Sequence, residues 1–325
     1  HSFSPQLTAN GALHYTYGRG YYEEFKEGET LSKYGIDPFT IGGTTITKSD
    51  LVRRRWLDNN FYGLTYSLNY VHTAALNFTF GGAYNEYNGD HFGEVIRGKF
   101  IPVGNSNGHY YQGNGFKTDF NAYAKAEFEL GKLNLFADLQ YRGINYTIRG
   151  TDKNRIALNQ EDQLNFFNPK LGLSYHLDPQ NNVYASIAVA NKEPNRDDYV
   201  NSTPANRPSS ENLLDIEAGY RIRGNNFTAG INSYAMFYKD QLVLTGKVND
   251  VGEYIRQNVK DSYRYGLELD GKSQINSALS WGLTAALSSN KIKNFTEFID
   301  DYDNGGQLVS EHNDVEQAFS PKFVG

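Results

Sequence analysis

The sequence predicts an all-β protein, an antiparallel up-and-down β-barrel that crosses a membrane with its strands. Three observations carry that expectation. Apolar and polar residues alternate with period two over long stretches. The connections between those stretches alternate between short and long, and one side of the alternation carries too many charges for the packed core of a soluble domain.

The alternating sets follow one another along the chain. The first is Phe3, Leu7, Leu13, Tyr15 and Tyr17; then come Tyr62, Leu64, Tyr66, Leu68, Tyr70 and Leu76, Phe78, Phe80, Tyr84. Phe120, Ala122, Ala124, Ala126, Phe128 and Leu130 are apolar against Asn121, Lys125, Glu127 and Glu129, and after Gly131 and Lys132 the pattern resumes with Leu133, Leu135, Ala137, Leu139 and Tyr141. Further sets begin at Phe167, Val183, Leu214, Phe227, Tyr263 and Leu279, and "AFSPKFVG" opens another, which makes about eleven full strands and the start of a twelfth. At Gly143 the apolar phase changes, because Ile144, Tyr146 and Ile148 fall on even positions; one extra residue there would restore the phase, so a β-bulge is expected.

The connections at Val71 to Ala75, Gly131 to Lys132, Asp178, Arg223 and Gly271 are short. Those over roughly 23–60, 85–119, 149–166, 191–213, 239–262 and 288–318 are long. Neighbouring strands run in opposite directions, so the short turns share one end and the long loops the other, as in outer-membrane barrels. A soluble sandwich or propeller would not alternate so strictly, and no fixed repeat marks a solenoid. In the barrel the apolar face meets lipid. The other face, with Glu127, Glu129, Asp138, Arg142, Lys170, Asp215, Glu217, Arg221, Arg264, Glu268 and Asp270, lines the interior. Tyr15, Tyr17, Tyr21, Tyr22, Tyr62 and Tyr66 suit an aromatic girdle.

Composition agrees. The 325 residues include 25 Tyr, 20 Phe, 32 Gly and no Cys, which suits a large antiparallel sheet and excludes disulfides and thiolate metal sites. A net charge of -6 gives no electrostatic case for nucleic acid. No apolar run is long enough for a transmembrane helix. The chain starts at His1 without a signal-peptide core and stops inside an alternating run, so it is expected to be a piece with sequence missing at both ends.

The stretches "ASIAVANKEPNRDDYV", "PSSENLLDIEAGYRIRGNNFTAGINSYAMFYKDQLVLTG" and "NVKDSYRYGLELDGK" resemble the TonB-dependent outer-membrane receptors, in particular the Bacteroidetes-type iron-complex receptors. The matching positions are Lys192, Glu193, Pro194 and Arg196; Glu211, Leu213, Glu217, Gly219 and Tyr220; and Tyr234, Tyr238, Asp240 and Gln241. The resemblance implies a barrel of about 22 strands, of which residues 1–325 supply about 12. It implies an N-terminal plug and a TonB-type inner-membrane energising complex as partner, with outer-membrane lipid and lipopolysaccharide around the wall and a metal chelate as cargo. Plug and closing C-terminal strands are expected to lie outside this chain.

Active import of a ferric siderophore or other iron chelate is the leading expectation. Cobalamin or oligosaccharide import, a passive porin and a surface adhesin stand as alternatives. No catalytic constellation, cofactor motif or metal motif is recognisable: His14, His72, His91, His109, His176 and His312 are scattered, and Asp300, Asp301 and Asp303 lack calcium-loop spacing. Candidate ligand-binding residues are Arg53, Arg54, Arg55 and Trp56, a cationic and aromatic run in the first long loop, with His91, Tyr110 and Tyr111.

Overall fold

The computed structural model describes residues 1–101, 108–202, 206–249 and 254–325. A 14-stranded antiparallel sheet dominates it. In chain order the strands are β1 (Ser2–Ser4), β2 (Leu7–Thr30), β3 (Phe39–Ile41), β4 (Thr44–Ile46), β5 (Lys48–Thr73), β6 (Leu76–Gly98), β7 (His109–Leu130), β8 (Leu133–Thr151), β9 (Ala157–His176) and β10 (Asn181–Lys192). They continue with β11 (Glu211–Arg223), β12 (Phe227–Val248), β13 (Tyr254–Gln274), β14 (Ser280–Asp300), β15 (Gln307–Glu316) and β16 (Phe323–Val324). Each long strand pairs with its sequence neighbours, as an up-and-down wall requires. β3 and β4 form a separate hairpin, and the path from β1 to β15 is open.

All-β architecture, long strands and sidedness follow the expectation, and three local expectations are corrected. Phe3 and Leu7 belong to different strands, because the chain turns between Ser4 and Leu7. Much of what looked like loop is strand: β2 reaches Thr30, β6 reaches Gly98 and β14 reaches Asp300. Beyond the bilayer both faces of a hairpin are wet, so backbone pairing continues while period two fades. β16 continues the path of β15, since Lys291 pairs with Glu316 and Leu287 with Phe323, with the intervening residues bulged out.

The bulge at Gly143 is absent. Phe120 pairs with Gly143, Asp119 with Ile144 and Asn121 with Arg142 in unbroken register. The apolar set changes face there instead of the strand changing phase. Through Tyr141 it looks out to lipid; from Ile144 it looks inward, where Ile144 and Ile148 are buried, Ile148 against Leu158 and Tyr199.

The outer face marks the level of the membrane. Leu139, Leu171, Leu173 and Ile187 stand outward and exposed, the expected state of side chains whose solvent is lipid. Above them runs a belt of tyrosines with polar anchors. Tyr15 donates to Asn60 Oδ1 (2.8 Å), Tyr62 and Tyr84 donate to the two oxygens of Glu86 (2.5 and 2.6 Å), and Tyr141 donates to Asn165 Oδ1 (2.6 Å). Ring below and hydroxyl above is the interfacial arrangement of aromatic residues.

Leu171→Lys should therefore cost about 2–4 kcal/mol of folding stability in a bilayer, as for a cation near the midplane. Gln140→Lys, on the inner face of β8, should cost little. Denaturant titration of the full-length protein in lipid vesicles measures both.

Candidate functional site

From the tyrosine belt upward the inner wall borders two cavities. Both are lined by the segment after β10, where residues distant in sequence meet. Glu193 accepts hydrogen bonds from Lys117 Nζ (2.6 Å) and from Arg142 Nη1 and Nη2 (2.9 and 3.0 Å). Arg142 also grips Asp119, with Nη2 to Oδ2 at 2.5 Å. Pro194 is fully buried, and Asn195 caps the short helix α1 (Arg196–Val200) through a capping box with Asp198. Asp198 is paired with Arg256 of β13 (2.7 and 3.0 Å), and the Tyr199 hydroxyl donates to Asp162 Oδ2 of β9 (2.6 Å). The Lys-Glu-Pro-x-Arg stretch thus ties one short segment to β7, β8, β9 and β13, and holds Arg196 over the inner wall.

Burial alone would raise the Glu193 pKa. Hydrogen bonds and charge from Lys117 and Arg142 outweigh it and hold the carboxyl at about 2 against an ordinary 4.5. A depressed carboxylate stabilises the fold above its unfolded value and loses that contribution as pH falls through the folded value. Segment 193–200 should accordingly loosen between about pH 4.5 and pH 2. Hydrogen exchange across that range measures it, and Glu193→Gln should remove the acid step.

The first cavity has a volume of about 980 Å³ and takes its walls from β2, β5, β6, β7, the β8–β9 connection and α1. Arg55, Lys153 and Arg196 line it with Asp152 and Asp197, and Arg19 borders it from beside Trp56, over which it lies while paired with Asp58 (3.2 Å). Asp152 is turned to its own loop, where Oδ1 accepts from the backbone of Asn154 and Ile156 (2.9 and 2.7 Å). The second cavity, of about 660 Å³, lies deeper, between Phe61, Tyr87, Lys117, Tyr146 and the Glu193–Arg196 stretch. His91 stands in the walls of both. It lies above the tyrosine belt, where burial and the charge of Arg196 lower its pKa to about 4, so the ring is neutral at neutral pH.

The run Arg53 to Trp56 lies within strand β5 and not in a loop, so alternation divides it. Arg53 and Arg55 share the inward side. Arg53 is bound by Glu24 (2.9 Å) and Tyr34 (2.9 Å), away from the cavity. Arg55 lines the cavity and donates to Tyr22 (2.9 Å) and more weakly to Tyr110 (3.3 Å). Arg54 and Trp56 turn the other way: Arg54 pairs with Glu23 (2.8 Å) and covers Tyr21, while Trp56 stacks with Phe92 and donates to Glu94 (2.8 Å). Trp56 borders the cavity beside Arg55, and its ring packs with Tyr21.

Tyr111 lines the first cavity, whereas Tyr110 is packed into a core with Leu31, Tyr34, Ile36, Leu51 and Val95. Sequence reasoning missed Tyr22 and Arg196 as wall residues. Arg196 sat in the quoted Lys-Glu-Pro-x-Arg stretch, and the glycines at Gly113 and Gly115, bare inner positions of β7 beneath its guanidinium, were the available sign of a side chain arriving from elsewhere. Asp301 serves its own turn by accepting from the backbone of Asp303 and Asn304 (3.1 and 3.0 Å). Among the described residues no cluster of three or more His, Asp or Glu gathers to hold a metal.

A family model described as "TonB dependent receptor-like, beta-barrel" matches residues 1–322. The chain belongs to the TonB-dependent receptor β-barrel family. As a wall of such a barrel it lies in the bacterial outer membrane, and the family consists of receptors and transporters. Similar solved structures include the siderophore receptor PiuA from Acinetobacter baumannii, at TM-score 0.69 and 10% identity, covering 99% of this chain and 50% of that one. The copper transporter OprC is similar at TM-score 0.65 and 12% identity, covering 89% and 44%, and the ferric-catecholate import receptor Fiu from K12 E. coli at 0.62 and 13%, covering 94% and 48%. At such identity the likeness is one of fold. This TonB-dependent receptor chain spans about half the length of those structures. No curated protein sequence matches it.

Proposed function

We propose that this chain is the ligand-facing wall of a receptor that imports a ferric chelate, most simply a siderophore complex, across the outer membrane. The observation that carries the reading is the first cavity, inward-facing and above the membrane, with Arg55 and Arg196 beside His91 and Tyr111. Its volume suits a drug-sized ligand. Its surplus of guanidinium and its phenol rings suit an anionic, aromatic or carboxylate-rich complex. The similarity to a siderophore receptor and a ferric-catecholate receptor supports the same cargo class. In this reading a plug outside the chain fills the barrel, and a TonB-type inner-membrane complex pulls on it to release the cargo.

The test is accumulation by cells carrying the full-length gene, offered labelled ferric tricatecholate, ferric trihydroxamate, ferric citrate, haem, cobalamin and an oligosaccharide. Import of one ferric chelate, abolished by a protonophore, is expected. Accumulation that ignores the protonophore would make the barrel a porin, binding without accumulation an adhesin, and selective uptake of cobalamin or sugar would replace the cargo.

A further inference from the structure

The two cavities are stacked along the barrel and not side by side. On β5 the first is bordered by Arg55 to Asn59 and the second by Phe61; on β7 the first takes Tyr111 and the second Lys117 and Asp119. On β6, which runs upward, His91 stands above Asn85 and Tyr87. On all three strands the second cavity is the one nearer the tyrosine belt. Among the described residues, two side chains line both spaces, His91 and Arg196.

We propose that the deeper cavity is a second station for the same anionic chelate, reached from the outer cavity past a waist made by Arg196 and His91. The proposal rests on the import reading above. Arg196 starts from a fixed base, because Glu193 and Asp198 anchor the segment on either side of it. Its guanidinium lies over backbone with no side chain: a Cβ built on Gly113 would stand 3.3 Å from Nη2, and one on Gly115 3.3 Å from Nη1. That bare track gives a long side chain room to swing while its base stays in place. Nη1 is buried without a well-formed hydrogen bond among the described residues, the Tyr146 phenol standing beside it, a cost a ligand oxygen would remove.

The charges admit an anion at both levels. Arg55 and Arg196 face the outer space, and in the deeper one the carboxylates Asp119 and Glu193 are neutralised by Arg142 and Lys117. His91 beside Arg196 carries no charge at neutral pH. An anionic complex can therefore leave Arg55 while keeping Arg196, and the carboxylates of the deeper space are compensated by their own cations.

The experiment uses cells carrying the full-length receptor and whichever iron-55-labelled chelate of the panel above the wild type accumulates. Binding is measured on chilled cells poisoned with protonophore, uptake on energised cells, each normalised to receptor abundance at the surface. Arg196→Ala should weaken binding by about tenfold, the outer station keeping Arg55, and should in addition lower the maximal uptake rate at saturating chelate by at least about tenfold. Arg196→Lys should restore most of the uptake, and Gly115→Leu, which blocks the track, should behave like Arg196→Ala. Weakened binding with an unchanged maximal uptake rate in Arg196→Ala would mean a single station and overturn the proposal. If the wild type accumulates no ferric chelate, the import reading fails first and takes this proposal with it. Should Gly115→Leu not reach the surface, the Ala and Lys variants at Arg196 decide the matter.

Discussion

Arg55→Glu is expected to weaken chelate binding by about a hundredfold or more, while Arg54→Glu should change it by less than about threefold. The difference comes from what each guanidinium already holds. Arg53 is matched to Glu24 and Arg54 to Glu23, whereas the partners of Arg55 among the described residues are the phenols of Tyr22 and Tyr110. Its positive charge therefore remains available to the cavity it lines. A hydrogen bond to a charged group contributes about 1.5–3 kcal/mol, or roughly 10- to 150-fold in affinity, and reversal of sign adds repulsion to that loss. Arg54 stands one residue away on the opposite side of the strand, so its charge is spent at the exposed outer surface. Equilibrium binding of the labelled chelate to purified full-length receptor distinguishes the pair.

Glu193→Ala is expected to destabilise the α1 segment by about 2–3 kcal/mol, below the 3–5 kcal/mol typical of a fully buried pair because these groups keep some solvent contact. Lys117 and Arg142 would then share Asp119 alone, both half-buried, and the segment would lose its hold on β7 and β8. The second anchor, Asp198 with Arg256, keeps the end toward β13 in place. The expected result is opening, not unfolding of the barrel: proteolysis should cut residues 193–200 faster, while heat-resistant migration of the barrel stays unchanged. Glu193→Gln should fall between, because the amide still accepts from Lys117 without offering charge.

The outer face was legible in the sequence because lipid demands one kind of side chain at every second position from Leu133 to Tyr141 and along each neighbour. Loop sidedness was legible because tight turns have few sequences that fit them, as at Gly131, whose φ of 60° is positive. What failed to show lies above the belt. There the inward face of β8 becomes apolar to receive Leu158 and Tyr199, and a change of face at Gly143 looks like a change of phase. Strand pairing also continues past the bilayer without a hydrophobic signature, so Arg53 to Trp56 read as one loop patch although the strand sends alternate residues to opposite sides. The site itself depends on Arg196 reaching Gly113 and Gly115 from a distant connection, a contact that no local pattern encodes.

The most direct measurement is to locate the metal. Crystals of the full-length receptor grown with its ferric chelate, measured at the iron absorption edge, should show an anomalous peak inside the inner wall above the tyrosine belt, in the space bounded by Arg55, His91, Tyr111 and Arg196. A peak on the outer face, or iron bound only to residues beyond this chain with both cavities filled by water, would contradict the account.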